Sequence, residues 1–297
     1  VTAELLDAIR IALTRAGGAS LGAPSMRAAA GGSIHKSYVL EDGCHRYFVK
    51  TNTAAMLPQF AAEAAGLSRL AVAGCMRVPA VICQGAAADA AFLVLEYLAL
   101  APATVAGQAR LGHALAALHS AESRETTYGL DHDNFIGSTA QPNARCGDWA
   151  AFFGERRLRF QLDLAAQCGY GRELEAGRQL LENLDGLFAD YRPRPSLLHG
   201  DLWSGNAGEL NDGTPVVFDP AVYFGDRESD LAMTELFGGF APAFYAAYDE
   251  AWPRDAGYAA RRTLYQLYHV LNHLNLFGAG YLAQAQKMIA ELNAELG

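Results

Sequence analysis

The sequence is poor in the features that mark membrane, secreted or nucleic-acid-binding proteins. Its five cysteines, Cys44, Cys75, Cys83, Cys146 and Cys168, are odd in number and form no C-x-x-C pair, which argues against a zinc site or a full disulfide framework and reads them as free, buried thiols. No unbroken apolar run reaches the roughly 18–20 residues of a membrane span, and residues 1–18 lack the apolar centre of a signal peptide, so no membrane partner and a cytoplasmic location are expected. Basic residues are in the minority, 23 Lys and Arg against 32 Asp and Glu, for a formal net charge of −9. That balance argues against a nucleic-acid partner, although an anionic nucleotide needs only a few local donors. A complete G-x-G-x-x-G is missing, as are internal repeats and low-complexity segments.

What is present is ample core material: 297 residues with 51% hydrophobic content suffice for one large domain or two lobes. Residues 1–98 read as a small α/β lobe. A helical stretch through Leu5, Ile9, Ile11 and Leu13 precedes a turn at Gly31-Gly32. The β-rich runs Ser37–Leu40 and Arg46–Thr51 flank Glu41-Asp-Gly43, a hairpin turn. The spacing of Phe60, Ala64, Leu67 and Leu70 predicts a helix over 54–73, and strands are predicted at Val78–Ile82 and Ala91–Tyr97. Residues 99–297 read as a helical lobe, with helices over 105–120, 148–168, 172–191, 228–237, 241–252, 257–277 and 281–296. Its only strand-like interruption is 196–218, around Asn211-Asp-Gly213. The expected class is therefore α+β, with a cleft between the lobes near residues 97–102.

One ordered set of residues carries chemistry. Phosphoryl transfer needs metal ligands, a carboxylate to deprotonate the attacking hydroxyl, and donors that hold the nucleotide. In His199-Gly-Asp-Leu-Trp-Ser-Gly-Asn206, Asp201 and Asn206 have the D-x-x-x-x-N spacing of a kinase catalytic loop, with Asp201 as base and Asn206 as a Mg²⁺ ligand. Asp219 follows the apolar run Val216–Phe218, the place of a second Mg²⁺-binding carboxylate. Upstream, Lys50 ends a strand and Glu63 lies in the following helix, suited to hold that lysine against ATP phosphates. Gly31, Gly32 and Ser33 would let backbone N–H groups approach phosphate oxygens, and Glu96, Tyr97 and Leu98 end a strand at the lobe junction, where backbone groups suit an adenine edge. Taken singly, each has an ordinary alternative: a turn cap for Asp201, a solvated strand end for Lys50, a plain turn for the glycines. His113 and His119 read as packing or surface residues. Tyr265, Tyr268, His269, Asn272, His273 and Phe277 form a stripe that packing explains, with one or two of them able to line a pocket.

These residues resemble the fructosamine kinase or ketosamine-3-kinase family, related in fold to aminoglycoside phosphotransferases, over nearly the whole chain. The most specific segment is His199–Asn206 with its Leu-Trp-Ser-Gly insert; Tyr47–Asn52, Phe92–Tyr97, Asp133–Thr139, Asp148-Trp149, Phe153–Leu158 and Val217–Ala221 support it. The resemblance implies a protein-kinase-like bilobal fold and transfer of the ATP γ-phosphate to the 3-hydroxyl of a ketosamine, a small molecule or a glycated protein amine, in deglycation. It implies Asp201 as base, Asn206 and Asp219 on Mg²⁺, and Lys50 with Glu63 on the nucleotide. Trp203 offers an aromatic face to the sugar or its carrier, with a buried packing role as the competing reading. Ser33 stands where some relatives carry a cysteine, so no thiol switch is expected in that loop. Pro220 stands where protein kinases have Phe, and the segment from Ala221 to Ser229 is short for a regulated loop. A kinase of an aminoglycoside, choline or amino-alcohol stays open, with Asp131, Asp133, Asp226 and Glu228 as carboxylates for a cationic acceptor, as does a non-catalytic nucleotide-binding protein.

Overall fold

The computed structural model describes residues 2–18, 21–22, 24–29, 34–87, 89–121 and 125–297; Gly31, Gly32 and Ser33 of the expected phosphate loop lie outside the described residues. Helix α1 (Ala3–Arg15) starts where the Thr2 hydroxyl accepts the Leu5 N–H, 3.3 Å, and it buries Leu5, Ile9 and Leu13 while Ile11 faces solvent. It packs on an antiparallel sheet of β1 (Ser25–Ala28), β2 (Lys36–Glu41), β3 (Arg46–Thr53), β4 (Val81–Ala87) and β5 (Ala90–Glu96), in the order β1-β2-β3-β5-β4. The β2–β3 hairpin turns where expected, because the Asp42 carboxylate accepts the N–H groups of Cys44 and His45, 3.0 and 2.8 Å. Its register sets Ser37 opposite Lys50 and Val39 opposite Phe48.

A 3₁₀ turn over Ala54–Met56 leads into α2 (Leu57–Ala73), which buries Phe60, Ala64, Leu67 and Leu70, the face expected from their spacing. Strand β4 begins three residues later than the sequence suggested. Pro79 has no N–H for a ladder, and the Glu96 N–H instead bonds the Ala80 carbonyl at 2.8 Å, leaving Val78 to fill the core.

The second part comprises β6 (Leu100–Ala101), α3 (Val105–Ser120), β7 (Asn134–Ile136), β8 (Thr139–Gln141), α4 (Trp149–Phe153), α5 (Phe160–Ala165), α6 (Ala176–Asn183), β9 (Ser196–Leu198), β10 (Ala207–Leu210), β11 (Pro215–Val217), β12 (Tyr223–Gly225), α7 (Glu228–Leu236), α8 (Pro242–Ala251), α9 (Tyr258–Phe277) and α10 (Leu282–Leu296). The hairpin around 211–213 forms as β10–β11, but β7–β8 and β12 were not expected. The predicted helix over 148–168 is interrupted by π-helical turns at Gly154–Arg159 and Ala166–Tyr170, the first carrying the fully buried Arg157. That over 172–191 shortens to α6 and a 3₁₀ turn.

One core surrounds Trp149, Phe153, Tyr265 and Leu271 in the helical part; another runs from Phe60 and Leu67 of α2 through Val222 to Leu111 and Phe244, tying sheet and helices together. All five cysteines are free, yet none is buried: Cys44 and Cys168 are exposed and the others half-buried. Among the described residues no helix is long and apolar enough to cross a membrane.

Candidate active site

A cleft of about 1330 Å³ opens between the sheet and the helical part, and Lys50, Glu63, Asp201, Trp203, Asn206 and Asp219 all line it. Residues 169 apart in sequence thus meet: the Lys50 Nζ donates to Glu63 Oε1 at 2.7 Å and to Asp219 Oδ1 at 2.5 Å. The sheet register aims Lys50 across the cleft, and α2 can approach the segment after Asp219 because Gly66 has no side chain; a Cβ there would lie 3.2 Å from the Pro220 ring. Glu63 sits one turn before Gly66 on the same helix face. Burial acts against the Lys50 cation, but the Asp219 and Glu63 carboxylates outweigh it and raise its pKa. Burial pushes the Glu63 carboxyl up, against the pull of Lys50. The ammonium is therefore a fixed cation in the cleft wall.

Asp201 is set by a hydrogen-bonded loop. Gly200 has φ +82°, and a Cβ there would stand 2.1 Å from the Ala221 carbonyl oxygen, so only glycine fits between strand β9 and the segment after Asp219. The N–H groups of His199 and Gly200 both donate to the buried Asp230 carboxylate, at 2.7 and 2.8 Å. The His199 Nε2–H donates to the Phe218 carbonyl at 3.1 Å, while Nδ1 accepts the Asp201 N–H at 3.3 Å. Asn206 Nδ2 donates to the Asp201 carbonyl, 2.9 Å, and to its Oδ2, 3.2 Å. This turns the amide oxygen of Asn206 the other way. Burial first, then the charge of Asp219, pushes the Asp201 carboxyl up to about 7, with Asn206 opposing. The imidazole of His269 has Nδ1 4.0 Å from Asp201 Oδ1 and is held neutral, its pKa driven down to about 3 by burial and by His273.

Asp219 is the one non-glycine residue with positive φ among the described residues, at +58°. Backbone strain of this kind persists where the surroundings over-determine it. Here Gln141 Nε2 donates to the Ala221 carbonyl at 3.1 Å and Asn134 Nδ2 to that of Val222 at 2.8 Å, both from the β7–β8 hairpin. Asp219 and Asn206 offer hard oxygens of the kind Mg²⁺ prefers.

Glu96, Tyr97 and Leu98 line the far end of the cleft with Val39, Phe48 and Leu95. The Glu96 carboxylate itself is engaged by Arg77 and by the Ala80 N–H, 3.0 Å. Another part of the lining is aromatic. Trp203 is half-buried, its ring edge-on to Phe237 with centroids 6.0 Å apart, and Phe237 lies 4.7 Å from His273 on α9, which meets Phe277 and Tyr281 at 5.4 and 5.1 Å. Of the striped residues on α9, Asn272, His273 and Phe277 face the cleft; Tyr265 and Tyr268 are core.

Four carboxylates considered for a cationic acceptor are spent elsewhere. Asp131 pairs with Arg145 at 2.9 Å and Asp133 caps the Asn143 N–H at 2.7 Å. Asp226 accepts the Tyr191 and Tyr265 hydroxyls at 3.0 and 2.5 Å, and Glu228 pairs with Arg261 at 2.7 Å. None lines the cleft.

Sequence reasoning missed Asp230 and the role of His119, which reads as packing yet donates from Nε2 to Asp230 at 3.1 Å while Nδ1 accepts the Tyr248 hydroxyl at 2.9 Å. Burial works to raise the Asp230 pKa, but His119 and the loop N–H groups bring it below the usual carboxylate range. Phe237, at the end of α7, and Tyr281 were missed as well; for Tyr281 the spacing from His273 and Phe277 was the available signal, and Phe237 had none.

The fructosamine kinase family model matches residues 6–295. A Synechocystis protein named "Probable ketoamine kinase slr1563" is 46% identical over 265 residues, 89% of either chain. The rice "Protein-ribulosamine 3-kinase, chloroplastic" is 39% identical over 87% of this chain and 76% of its own. A Haemophilus somnus crystal structure, "Putative fructosamine-3-kinase", superposes with a TM-score of 0.88 at 30% identity over 96% of both chains. The aminoglycoside phosphotransferase APH(4)-Ia, at a TM-score of 0.59 and 15% identity over 93% and 95%, shares the fold. With its α+β kinase-like fold, this chain belongs to the fructosamine kinase family.

Proposed function

We propose that this protein is an ATP- and Mg²⁺-dependent ketosamine 3-kinase, transferring the γ-phosphoryl group to the 3-hydroxyl of a sugar–amine adduct, free or on a glycated protein. The observation that carries the reading is that Asp201 lines one cleft together with the Lys50–Asp219 pair and Trp203. Lys50, held by Glu63, sits where it can neutralise nucleotide phosphates, and the backbone of Glu96, Tyr97 and Leu98 offers the adenine edge. Asn206 and Asp219 would hold Mg²⁺, which when bound spreads and neutralises phosphate charge. Asp201, oriented by Asn206, takes the proton of the attacking hydroxyl; a carboxylate raised to about 7 is matched to that task near neutrality. Trp203 supplies a flat face to the sugar or its amine carrier.

The same reading puts the lobe boundary at residues 98 and 99, in keeping with β6 pairing to β10 of the helical part rather than to the main sheet. Free thiols suit a reducing cytoplasm. The test is an acceptor screen with fructose-, ribulose- and erythrulose-amine adducts beside choline and an aminoglycoside. Turnover on the ketosamines is expected; phosphorylation of only the latter pair would replace this assignment.

A further inference from the structure

We infer that His35 is a neutral hydrogen-bond donor to the β/γ-phosphate end of the bound nucleotide, its Nε2–H pointed into the cleft by Asn52. The inference rests on the kinase reading of the cleft and adds to it a residue with no place in the catalytic set.

The sheet supplies the placement. Side chains alternate along β2, so Ser37 and Val39 share a face and line the cleft, and His35, just before the strand, lines it with them. Across the β2–β3 ladder Val39 faces Phe48 and Ser37 faces Lys50; the ladder ends at Lys36 with Thr51, and His35, in the bend just before β2, is joined to Asn52 of β3 through their side chains. The row therefore runs from an apolar end, Val39 with Phe48, through the lysine, to His35. On β3, Asn52 lies two residues of strand, about 6.6 Å, past Lys50. That step leads away from the Glu96–Leu98 end, which suits an adenine, and toward the terminal phosphates.

Hydrogen bonding fixes which ring nitrogen carries the proton. Asn52 Oδ1 accepts the Thr53 N–H at 2.8 Å, and its Nδ2 donates to the Ile34 carbonyl at 3.1 Å, so the amide can point only one way. The same Nδ2 lies 3.0 Å from His35 Nδ1. An amide nitrogen does not accept, so Nδ1 presents a lone pair and the proton resides on Nε2. Phe60 holds the ring from one side, centroids 4.8 Å apart. Burial, with the Lys50 charge, lowers the His35 pKa to about 4 against the opposing pull of Asp219, so the ring donates as a neutral imidazole. An imidazole constrained in this way is a fixed donor aimed at an anion, beside a lysine that supplies charge.

Direct binding tests this without turnover. Affinities for AMP-PNP and AMP, with Mg²⁺, are measured calorimetrically for the wild type, His35→Leu, His35→Gln and Lys50→Met. A hydrogen bond to a charged oxygen predicts at least about a tenfold loss of AMP-PNP affinity in His35→Leu. AMP affinity should stay within twofold, and His35→Gln, whose amide reaches the Nε2 position, should recover most of the loss. Two outcomes overturn the inference alone: AMP-PNP affinity unchanged in His35→Leu while Lys50→Met weakens it, or equal losses for AMP and AMP-PNP, which would mark a structural role. Unchanged AMP-PNP affinity in Lys50→Met would instead sink the parent assignment of the phosphate site, and this inference with it.

Discussion

Replacing Asp201 by Asn separates the two consequences of a raised carboxyl pKa. In the folded chain the Asp201 pKa lies at about 7, against 3.8 for the unperturbed group. A raised carboxyl binds its proton more tightly folded than unfolded, so its contribution to stability is present at low pH and is lost as pH rises through about 7. Each pH unit between the two values costs about 1.36 kcal/mol, and the integral from pH 5.5 to 8 is about 2 kcal/mol. The side chain retains 22% exposure, and screening by solvent reduces this to about 1–2 kcal/mol. Asparagine keeps the shape and removes the titration. Urea unfolding in EDTA should therefore show Asp201→Asn gaining about 1–2 kcal/mol relative to wild type on going from pH 5.5 to pH 8. Turnover should fall by at least about 10²-fold, the loss expected for a general base, with AMP-PNP affinity nearly intact. Parallel stability differences at the two pH values, or wild-type turnover, would refute the reasoning.

Three further substitutions probe the frame. Gly200→Ala forces a Cβ against the Ala221 carbonyl at positive φ and should cost about 2 kcal/mol or more in denaturant unfolding, with loss of activity. Asp230→Ala orphans the N–H groups of His199 and Gly200 together with His119, and a loss of about 3–5 kcal/mol is expected in the same assay. Trp203→Ala should raise KM for the ketosamine about tenfold while KM for ATP stays within twofold; an effect on ATP alone would return Trp203 to a packing role.

The residues that meet in the cleft were legible because they are tied to local signals. Lys50 lies within a β-rich run, which the structure extends to Thr53, Glu63 shares a helix strip with Phe60 and Leu67, and Asp201 with Asn206 keeps a spacing that a tight loop requires. The clamp on that loop was not legible, since Asp230 meets His119 across 111 residues and no local pattern encodes the pairing. Buried polar pairs of this kind look like surface residues in the sequence. The frame of β4 was missed because Val78 and Val81 are both apolar, and only the Glu96–Ala80 bond decides which of them starts the ladder. The β7–β8 hairpin was missed because its strands, Asn134–Ile136 and Thr139–Gln141, are three residues each, too short for alternation to register. The carboxylates of the alternative acceptor site were misjudged for a related reason. The partners of Asp226 and Glu228, which are Tyr191, Tyr265 and Arg261, lie more than 30 residues away in sequence, and even Arg145 meets Asp131 across 14.

The central claim, phosphoryl transfer to a ketosamine hydroxyl at Asp201, is tested most directly by the position of the phosphate. Wild type and Asp201→Asn are incubated with ATP, Mg²⁺ and fructose-lysine, and the product is read by phosphorus–proton correlation NMR. The account predicts a 3-phosphate ester from the wild type and essentially none from Asp201→Asn over the same time; phosphate on another hydroxyl, or equal product from both proteins, would contradict it.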